Sequence, residues 1–190
     1  MSNINKNTKI AISLLIVSIV IIGIYSIFKI PTTIDKSIPG IIYKVGGNEF
    51  SNITLDIHGK IKKTLFTDTT TFVGTIKFTG IEDLLKKNYS NKIYKELFNT
   101  EVKFRIHEGK FAENKECLFF TLDYYMMKDN IGYNEVLGTM YFEPEFNKIT
   151  IVKSNISDID ANTKIISAPA ITREGALEIT KSILDYSVNQ

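Results

Sequence analysis

Residues 117–127 read CLFFTLDYYMM and form the most apolar stretch of the chain after its N-terminal segment. Successive side chains of a β-strand point to opposite faces of its sheet. One face here carries Leu118, Phe120, Leu122, Tyr124 and Met126, and the other carries Cys117, Phe119, Thr121, Asp123, Tyr125 and Met127. A strand that is apolar on both faces lies centrally in a sheet or has a helix over its second face. We therefore predict a buried strand in a sheet that is covered on one side.

Six shorter segments around this stretch have the composition of half-buried strands, most of them with alternating apolar and polar residues. They are ITLDIHGK (53–60), KIKKTLF (60–66), TFVGTIKF (71–78), EVKFRI (101–106), EVLGTMYF (135–142) and KITIVK (148–153). We expect a turn at Gly59 to join the first two segments, and residues 144–147 to join the last two as an antiparallel hairpin. The pattern predicts an antiparallel sheet of about six to seven strands.

Two segments have the spacing of helices. Residues 81–98 change to a helical period and predict one or two short helices. A C-terminal helix is expected after Thr172, which has the residue type of an N-cap, with an apolar stripe of Ala176, Ile179 and Ile183. We predict an α+β domain in which this C-terminal helix packs across the antiparallel sheet.

The N-terminal segment, residues 10–28, reads IAISLLIVSIVIIGIYSIF and contains no charged residue. As a helix it is about 28 Å long, close to the thickness of the hydrocarbon core of a bilayer. Lys6 and Lys9 precede it, so the positive-inside rule predicts a cytoplasmic N-terminus and an external C-terminal domain. A cleaved signal peptide is the alternative, but the segment ends without a pair of small residues for a peptidase. We predict a single-pass anchor in the plasma membrane, with the lipid bilayer as its partner.

This interpretation divides the chain into four parts. They are a cytoplasmic tail (1–9), a transmembrane helix (10–28), a stalk (29–48) and an extracytoplasmic domain (49–190). The stalk is inferred from the prolines and glycines of that segment, which include Pro31 and Pro39.

Charge and cysteine content exclude several classes of protein. Lys6, Lys9 and Lys29 flank the apolar segment, which leaves 20 basic residues against 21 acidic ones in the rest of the chain. A domain so near neutrality is not expected to bind nucleic acid, which requires a basic face. The single cysteine, Cys117, excludes an internal disulfide, and its place in an apolar strand predicts a buried and unreactive thiol.

Asp123 is the candidate binding residue, because it is a carboxylate in an otherwise apolar strand. If it is buried, its pKa is raised. Tyr125 and Phe119 share its face, so the three residues are our candidates for binding a ligand. The alternative is that Asp123 emerges at the rim of the sheet and has no such role.

A weak internal similarity places two histidines at matching positions. ITLDIHGK (53–60) resembles VKFRIHEGK (102–110), and GTIKF (74–78) resembles GTMYF (138–142). These pairs are either a duplicated β unit or short strands that look alike. His58 and His107 would need a third ligand to hold a metal, and none is suitably spaced. The chain also lacks nucleotide-binding and hydrolase motifs, so we predict no catalytic residue, no metal and no cofactor.

Three segments carry a resemblance to known sequences. They are HGKIKKTLFTDTTTFVGTIKFTG (58–80), LGTMYFEPEFNKITI (137–151) and SAPAITREGALEI (167–179). Together they resemble small single-span membrane-anchored proteins of unknown function from spore-forming, low-GC Gram-positive bacteria. The resemblance implies a place at the cell surface and assigns no activity or site residue.

Three functions fit these features. The first is an extracytoplasmic binding or accessory module, with an envelope protein or a cell-wall component as its partner. The second is an envelope hydrolase that uses carboxylates such as Asp123 and Glu108, which requires a concave pocket with at least two acidic groups. The third is a pilin-like subunit. It is the least favoured. Pilins resemble a pattern with a glutamate a few residues into the apolar helix, and residues 10–28 contain no acidic residue.

Overall fold

Eight antiparallel strands form a closed barrel, preceded by a long helix and followed by a shorter one. The computed structural model describes residues 6–29, 31–64, 69–81, 90–110, 116–153, 156 and 159–184. In chain order the elements are α1 (Lys6–Lys29), β1 (Thr32–Lys44), β2 (Phe50–Thr64), β3 (Thr69–Thr79), α2 (Asn91–Phe98), β4 (Val102–Lys110), β5 (Glu116–Lys128), β6 (Ile131–Phe142), a 3₁₀ turn (Pro144–Phe146), β7 (Ile149–Val152), β8 (Lys164–Ala168) and α3 (Arg173–Leu184).

The predicted open sheet of six or seven strands is wrong, because the sheet closes through two strands that sequence reasoning missed. β1 occupies the segment predicted to be a stalk, and it pairs with both β2 and β8. Its Pro39 and Gly40 indicated a linker, yet a Cβ on Gly40 would lie only 3.0 Å from the Ser167 carbonyl oxygen. A side chain there would force its neighbours to shift, so the close strand packing favours glycine. β8 has only five residues and too little alternation to be recognised.

The turn predicted at Gly59 is also wrong, since Gly59 lies inside the 15-residue strand β2. It faces Gly74 of β3 across the sheet. A Cβ on Gly74 would come within 2.1 Å of the His58 carbonyl oxygen, so no larger residue fits without displacing the backbone. Over residues 53–64 the two predicted strands are thus one strand whose glycine permits close approach, while residues 65 and 66 lie outside the described residues.

Aromatic side chains fill the interior of the barrel. The rings of Phe104 and Phe120 stack with centroids 4.7 Å apart, and Phe72 stacks on Phe120 at 6.2 Å. Tyr124 is fully buried, and its hydroxyl donates to the Ile76 carbonyl oxygen at 2.8 Å. An eight-stranded barrel is just wide enough to be filled by side chains, and here they form a packed core.

Each end of the barrel is closed by an aromatic residue from a connecting segment. At the end where β1 begins, the α1-side end, Phe146 of the 3₁₀ turn stacks on Phe142 with centroids 4.3 Å apart. At the opposite end, the far end, Phe98 of α2 contacts Tyr124 edge-on at 4.9 Å. The helix α2 confirms the helix predicted in the stretch 81–98, of which residues 82–89 lie outside the described residues.

The C-terminal helix α3 packs on the outer face of β1, β7 and β8, as the sequence predicted. Thr172 is its N-cap, since its hydroxyl accepts a hydrogen bond from the Gly175 amide at 3.1 Å. Beneath the helix lies a second apolar cluster. Its buried members are Ile41, Tyr43, Val45, Cys117, Tyr141, Val152, Ile165, Ala170, Ala176, Ile183 and Leu184.

A buried hydroxyl network joins α3 to the two strands that close the barrel. The Thr180 hydroxyl lies 2.7 Å from the Tyr43 hydroxyl of β1 and 2.7 Å from the Ser167 hydroxyl of β8. It also donates to the Ala176 carbonyl oxygen at 3.2 Å. One threonine therefore links a helix and two strands across the β1–β8 seam.

The helix α1 is long and apolar enough to cross a membrane. Its side chains are exposed at every position from 7 to 24, including Leu14, Leu15 and Ile22 at 63%, 61% and 64%. Only positions 30 and 31 separate its end at Lys29 from the start of β1. The barrel thus follows the helix without the predicted stalk.

Thr180→Val is expected to destabilise the protein by about 1–3 kcal/mol, because it removes buried hydrogen bonds at the seam. Thr150→Val is the matched control. The Thr150 hydroxyl is fully buried and has no hydrogen-bond partner among the described residues, so its removal should be neutral or stabilising. Urea denaturation of the full chain in detergent, followed by circular dichroism, measures both. Equal effects of the two substitutions would contradict the role of the network.

Candidate functional site

The three predicted ligand-binding residues, Asp123, Tyr125 and Phe119, all lie on the outer face of β5. The inward positions of that strand, such as Leu122 and Tyr124, are fully buried in the barrel. Phe119 and Tyr125 are six residues apart, which corresponds to about 20 Å along a strand. The structure therefore places the three on one face without gathering them into one site.

Phe119 belongs to the outer core of the barrel. It is half-buried and packs against the apolar cluster under α3. Its ring stacks on Tyr141 with centroids 5.8 Å apart and on His107 at 5.4 Å. These contacts make Phe119 part of the packed wall of the barrel.

Asp123 is exposed, so it is not the buried carboxylate that the apolar neighbourhood would have produced. It pairs with Val136 of β6, immediately after an irregularity in the register between Leu122 and Asp123. Of the two interpretations of Asp123, the one in which it emerges at the surface of the sheet fits this environment.

Tyr125 and Met127 form an exposed apolar surface near the far end of β5. Their side chains are 57% and 56% exposed, and Val136 of β6, which pairs with Asp123 on the same face, adds 45%. Gly132 faces Met127 across the hairpin, and a Cβ there would lie 3.5 Å from the Tyr125 ring and 3.6 Å from the Met127 sulfur. The two side chains thus lie over the glycine. We call Tyr125, Met127 and Val136 the hairpin patch.

The hairpin that carries this patch extends beyond its neighbour in the barrel. β6 pairs with β7 only over Thr139–Phe142, while the pairing of β5 with β6 continues to Lys128 and Ile131. Lys128 forms an ion pair with Glu96 of α2, and this hydrogen bond lowers the pKa of the Glu96 carboxyl. The patch is thus presented on a hairpin that α2 supports.

A shallow groove of about 430 Å³ lies on the outer face of β1–β3. In it, His58 Nδ1 lies 2.6 Å from Asp35 Oδ1, and Thr75 faces His58 from β3. Glu101 lines the same groove just before β4. Asp35 and Glu101 are thus about three strand spacings, or roughly 14 Å, apart. The carboxyl groups of glycoside hydrolases are about 5–9.5 Å apart, so this groove does not form such a pair.

Asp123 and Glu108, the carboxylates considered for a hydrolase, are not brought together either. Glu108 faces Leu118 of β5, which lies five residues from Asp123. That separation is about 17 Å along the strand. The two acidic groups therefore cannot act on one bond.

The two histidines are also remote from each other. β3 lies between β2, which carries His58, and β4, which carries His107. Within the described part of the chain, no three His, Cys, Asp or Glu side chains are arranged to hold a metal ion.

The strand order also bears on the weak internal similarity. Its first members, β2 and β3, are neighbours, whereas its second members, β4 and β6, are separated by β5. A duplicated unit would preserve the neighbours. The strand order therefore favours the interpretation as short strands with the same alternation.

Sequence reasoning missed one buried carboxylate. Glu135 of β6 is only 3% exposed and faces the buried Tyr124 across the hairpin. Its Oε1 has no hydrogen-bond partner among the residues that the structure describes. Three residues after Glu135, Gly138 has a φ of 132°. It pairs with Leu122, at the point where the register between β5 and β6 is irregular. Simple alternation along β6 therefore does not predict this inward orientation.

Cys117 is buried under α3, which confirms the predicted environment of the thiol. Its sulfur lies 3.7 Å from the Phe142 carbonyl oxygen. Burial raises the pKa of the thiol from 9.0 to about 11. Because the thiolate is the reactive form, this environment disfavours nucleophilic chemistry at Cys117.

No family model, curated protein or solved structure matches this chain.

Iodoacetamide should alkylate Cys117 about a hundredfold more slowly in the folded protein than in urea at pH 8, because raising the thiol pKa from 9.0 to about 11 lowers the thiolate fraction by about that factor. Below pH 9 the folded rate should rise about tenfold per pH unit and continue to rise towards pH 11. Mass spectrometry of quenched time points gives both rates. Similar rates in the folded and unfolded chains would contradict the buried thiol.

Proposed function

We propose that this protein is a single-span, membrane-anchored binding module of the bacterial cell envelope. The observation that carries the proposal is α1, a 24-residue apolar helix whose described side chains from 7 to 24 are all exposed. Burying such a surface in lipid is strongly favourable, whereas leaving it in water is costly. A bilayer supplies the environment that this helix requires.

The charges around α1 favour one orientation. Lys9 and the amino terminus precede the apolar segment, and cytoplasmic flanks are enriched in such positive charge. In the proposed arrangement the N-terminus is cytoplasmic and the barrel is outside the plasma membrane. The resemblance to membrane-anchored proteins of low-GC Gram-positive bacteria favours the same location.

The hairpin patch is the surface that we assign to partner binding. Tyrosine and methionine are enriched in protein interfaces, and an exposed aromatic anchor often dominates their energetics. The interior of the barrel is filled by packed aromatic side chains, so the outer wall is where a partner must bind. We expect an envelope protein or a cell-wall component as that partner.

Carboxylate-dependent hydrolysis receives less support. The separations of roughly 14 Å for Asp35 and Glu101 and about 17 Å for Asp123 and Glu108 exceed what a shared substrate bond allows. The pilin-like alternative is disfavoured by the absence of an acidic residue from the apolar segment 10–28.

Protease treatment of intact cells stripped of their wall tests the location. A tag at the C-terminus should be removed without lysis if the barrel is outside. A tag that is cut only after lysis would place the barrel in the cytoplasm and reject the proposed orientation. A tag found in the medium would show that α1 is cleaved and that the protein is secreted.

Substitution of the hairpin patch tests the binding surface. The double variant Tyr125→Ser/Met127→Ser should change stability by less than about 0.5 kcal/mol, because both side chains are exposed. It should reduce the yield of a defined in-cell crosslinked adduct by about tenfold or more, as loss of an aromatic anchor does. Ile171→Ser is the control, since Ile171 is 79% exposed and lies outside the patch. An unchanged adduct in the double variant, or equal loss in the control, would reject the patch.

A further inference from the structure

Four cationic side chains form one surface on the outer wall of the barrel. They are Lys60 and Lys62 of β2, and Lys103 and Arg105 of β4. All four are exposed, and none forms an ion pair with a residue that the structure describes. We call them the α1-side cationic patch.

The strand register places these cations in two adjacent rows. Lys62 faces Thr71 of β3, and Thr71 faces Arg105 of β4. In the next row, Val73 lies between the other two patch residues, Lys60 and Lys103. Each row is two strand spacings, or about 10 Å, wide, and the rows are about 7 Å apart. Four positive charges thus lie on an area of about 10 Å by 7 Å.

Among the outward-facing described residues of β1–β4, the acidic ones lie farther from the α1-side end. The next row towards the far end contains His58 and Asp35, whose side chains are paired with each other. Glu101 lies beside that row, next to the start of β4. On the outward face of these strands, positive charge therefore lies towards the α1-side end, and negative charge lies towards the far end.

The connection from α1 places the patch beside the end of the apolar helix. β1 begins at Thr32, only three positions after Lys29. Thr32 pairs with Ile61, which lies between Lys60 and Lys62. Lys62 is therefore about one strand spacing, near 5 Å, from the chain as it leaves the helix. So short a connection keeps this part of the wall close to whatever surrounds the end of α1.

We propose that the α1-side cationic patch binds the phosphate headgroups of anionic lipids in the leaflet where α1 ends. The inference rests on the proposed function, in that α1 must span a bilayer. Clustered cations next to a membrane anchor are attracted to anionic leaflets, and the attraction acts within a Debye length of about 10 Å. The contact adds a second attachment to the bilayer. It fixes which wall of the barrel lies against the membrane and leaves the far end free.

A single tryptophan reports on this contact, since the chain has none of its own. The Thr71→Trp substitution places it between Lys62 and Arg105. The full-length variant is reconstituted in nanodiscs of phosphatidylcholine, with or without phosphatidylglycerol. We expect quenching by acrylamide, a neutral molecule, to fall about twofold or more when the anionic lipid is present. The difference should disappear in about 1 M salt, where the Debye length is near 3 Å.

Two charge-matched variants test whether the patch is responsible. In the Thr71→Trp background, Lys60→Gln, Lys62→Gln, Lys103→Gln and Arg105→Gln together should abolish the effect of phosphatidylglycerol. The control carries four substitutions of the same charge at exposed positions elsewhere, namely Lys92→Gln, Lys95→Gln, Lys164→Gln and Lys181→Gln. It should retain the effect, whereas equal loss in the control would reject the patch.

The remaining outcomes separate this inference from the proposed function. If the chain does not co-elute with nanodiscs of either composition, the membrane anchor itself is rejected. If it co-elutes but is quenched equally in both lipids, only the headgroup contact is rejected. If soluble polyphosphate protects the tryptophan in phosphatidylcholine nanodiscs while phosphatidylglycerol does not, the patch binds a phosphate polymer, and the lipid assignment is overturned.

Discussion

The seam between β1 and β8 is the contact on which the rest of this structure depends. Over this seam, residues 41–44 pair with residues 164–167 and convert a sheet with two open edges into a closed barrel. Open strand edges invite pairing with other chains, and closure removes them. The helix α3 covers the same strands, and Thr180 hydrogen-bonds to side chains of both. Closure and helix packing are therefore one structural unit.

Because β1 is both a seam strand and the first strand after α1, closure also fixes how the barrel is attached. The strand cannot detach to lengthen the connection without opening the barrel. The α1-side end must then stay next to the end of the helix, and the hairpin patch, including Tyr125 and Met127, lies towards the far end. One strand thus couples the stability of the fold to the direction in which the proposed binding surface points.

Much of this architecture follows from local patterns, and closure does not. The alternation of apolar and polar residues predicted strands β3 to β7, and the N-cap residue Thr172 predicted the start of α3. Both signals depend only on residues that are neighbours in the sequence. Pro39 and Gly40 indicated a linker, although Gly40 permits close contact with a strand more than a hundred residues away. Gly59 likewise indicated a turn, because a local pattern does not show that it pairs with Gly74 of the neighbouring strand. The residues that misled the sequence analysis are those whose role is set by distant strands.

The candidate site shows the same limit of local sequence patterns. Alternation correctly assigned Phe119 and Tyr125 to one face of β5, but it does not specify what lies over that face. The 12 residues of α3 are about 18 Å long, and they contact β1, β7 and β8 while leaving the far half of β5 uncovered. Phe119 therefore packs against the apolar cluster under α3, whereas Tyr125 is exposed. Since the described interior is filled by stacked aromatic side chains, the uncovered part of the wall is the surface that a partner can reach.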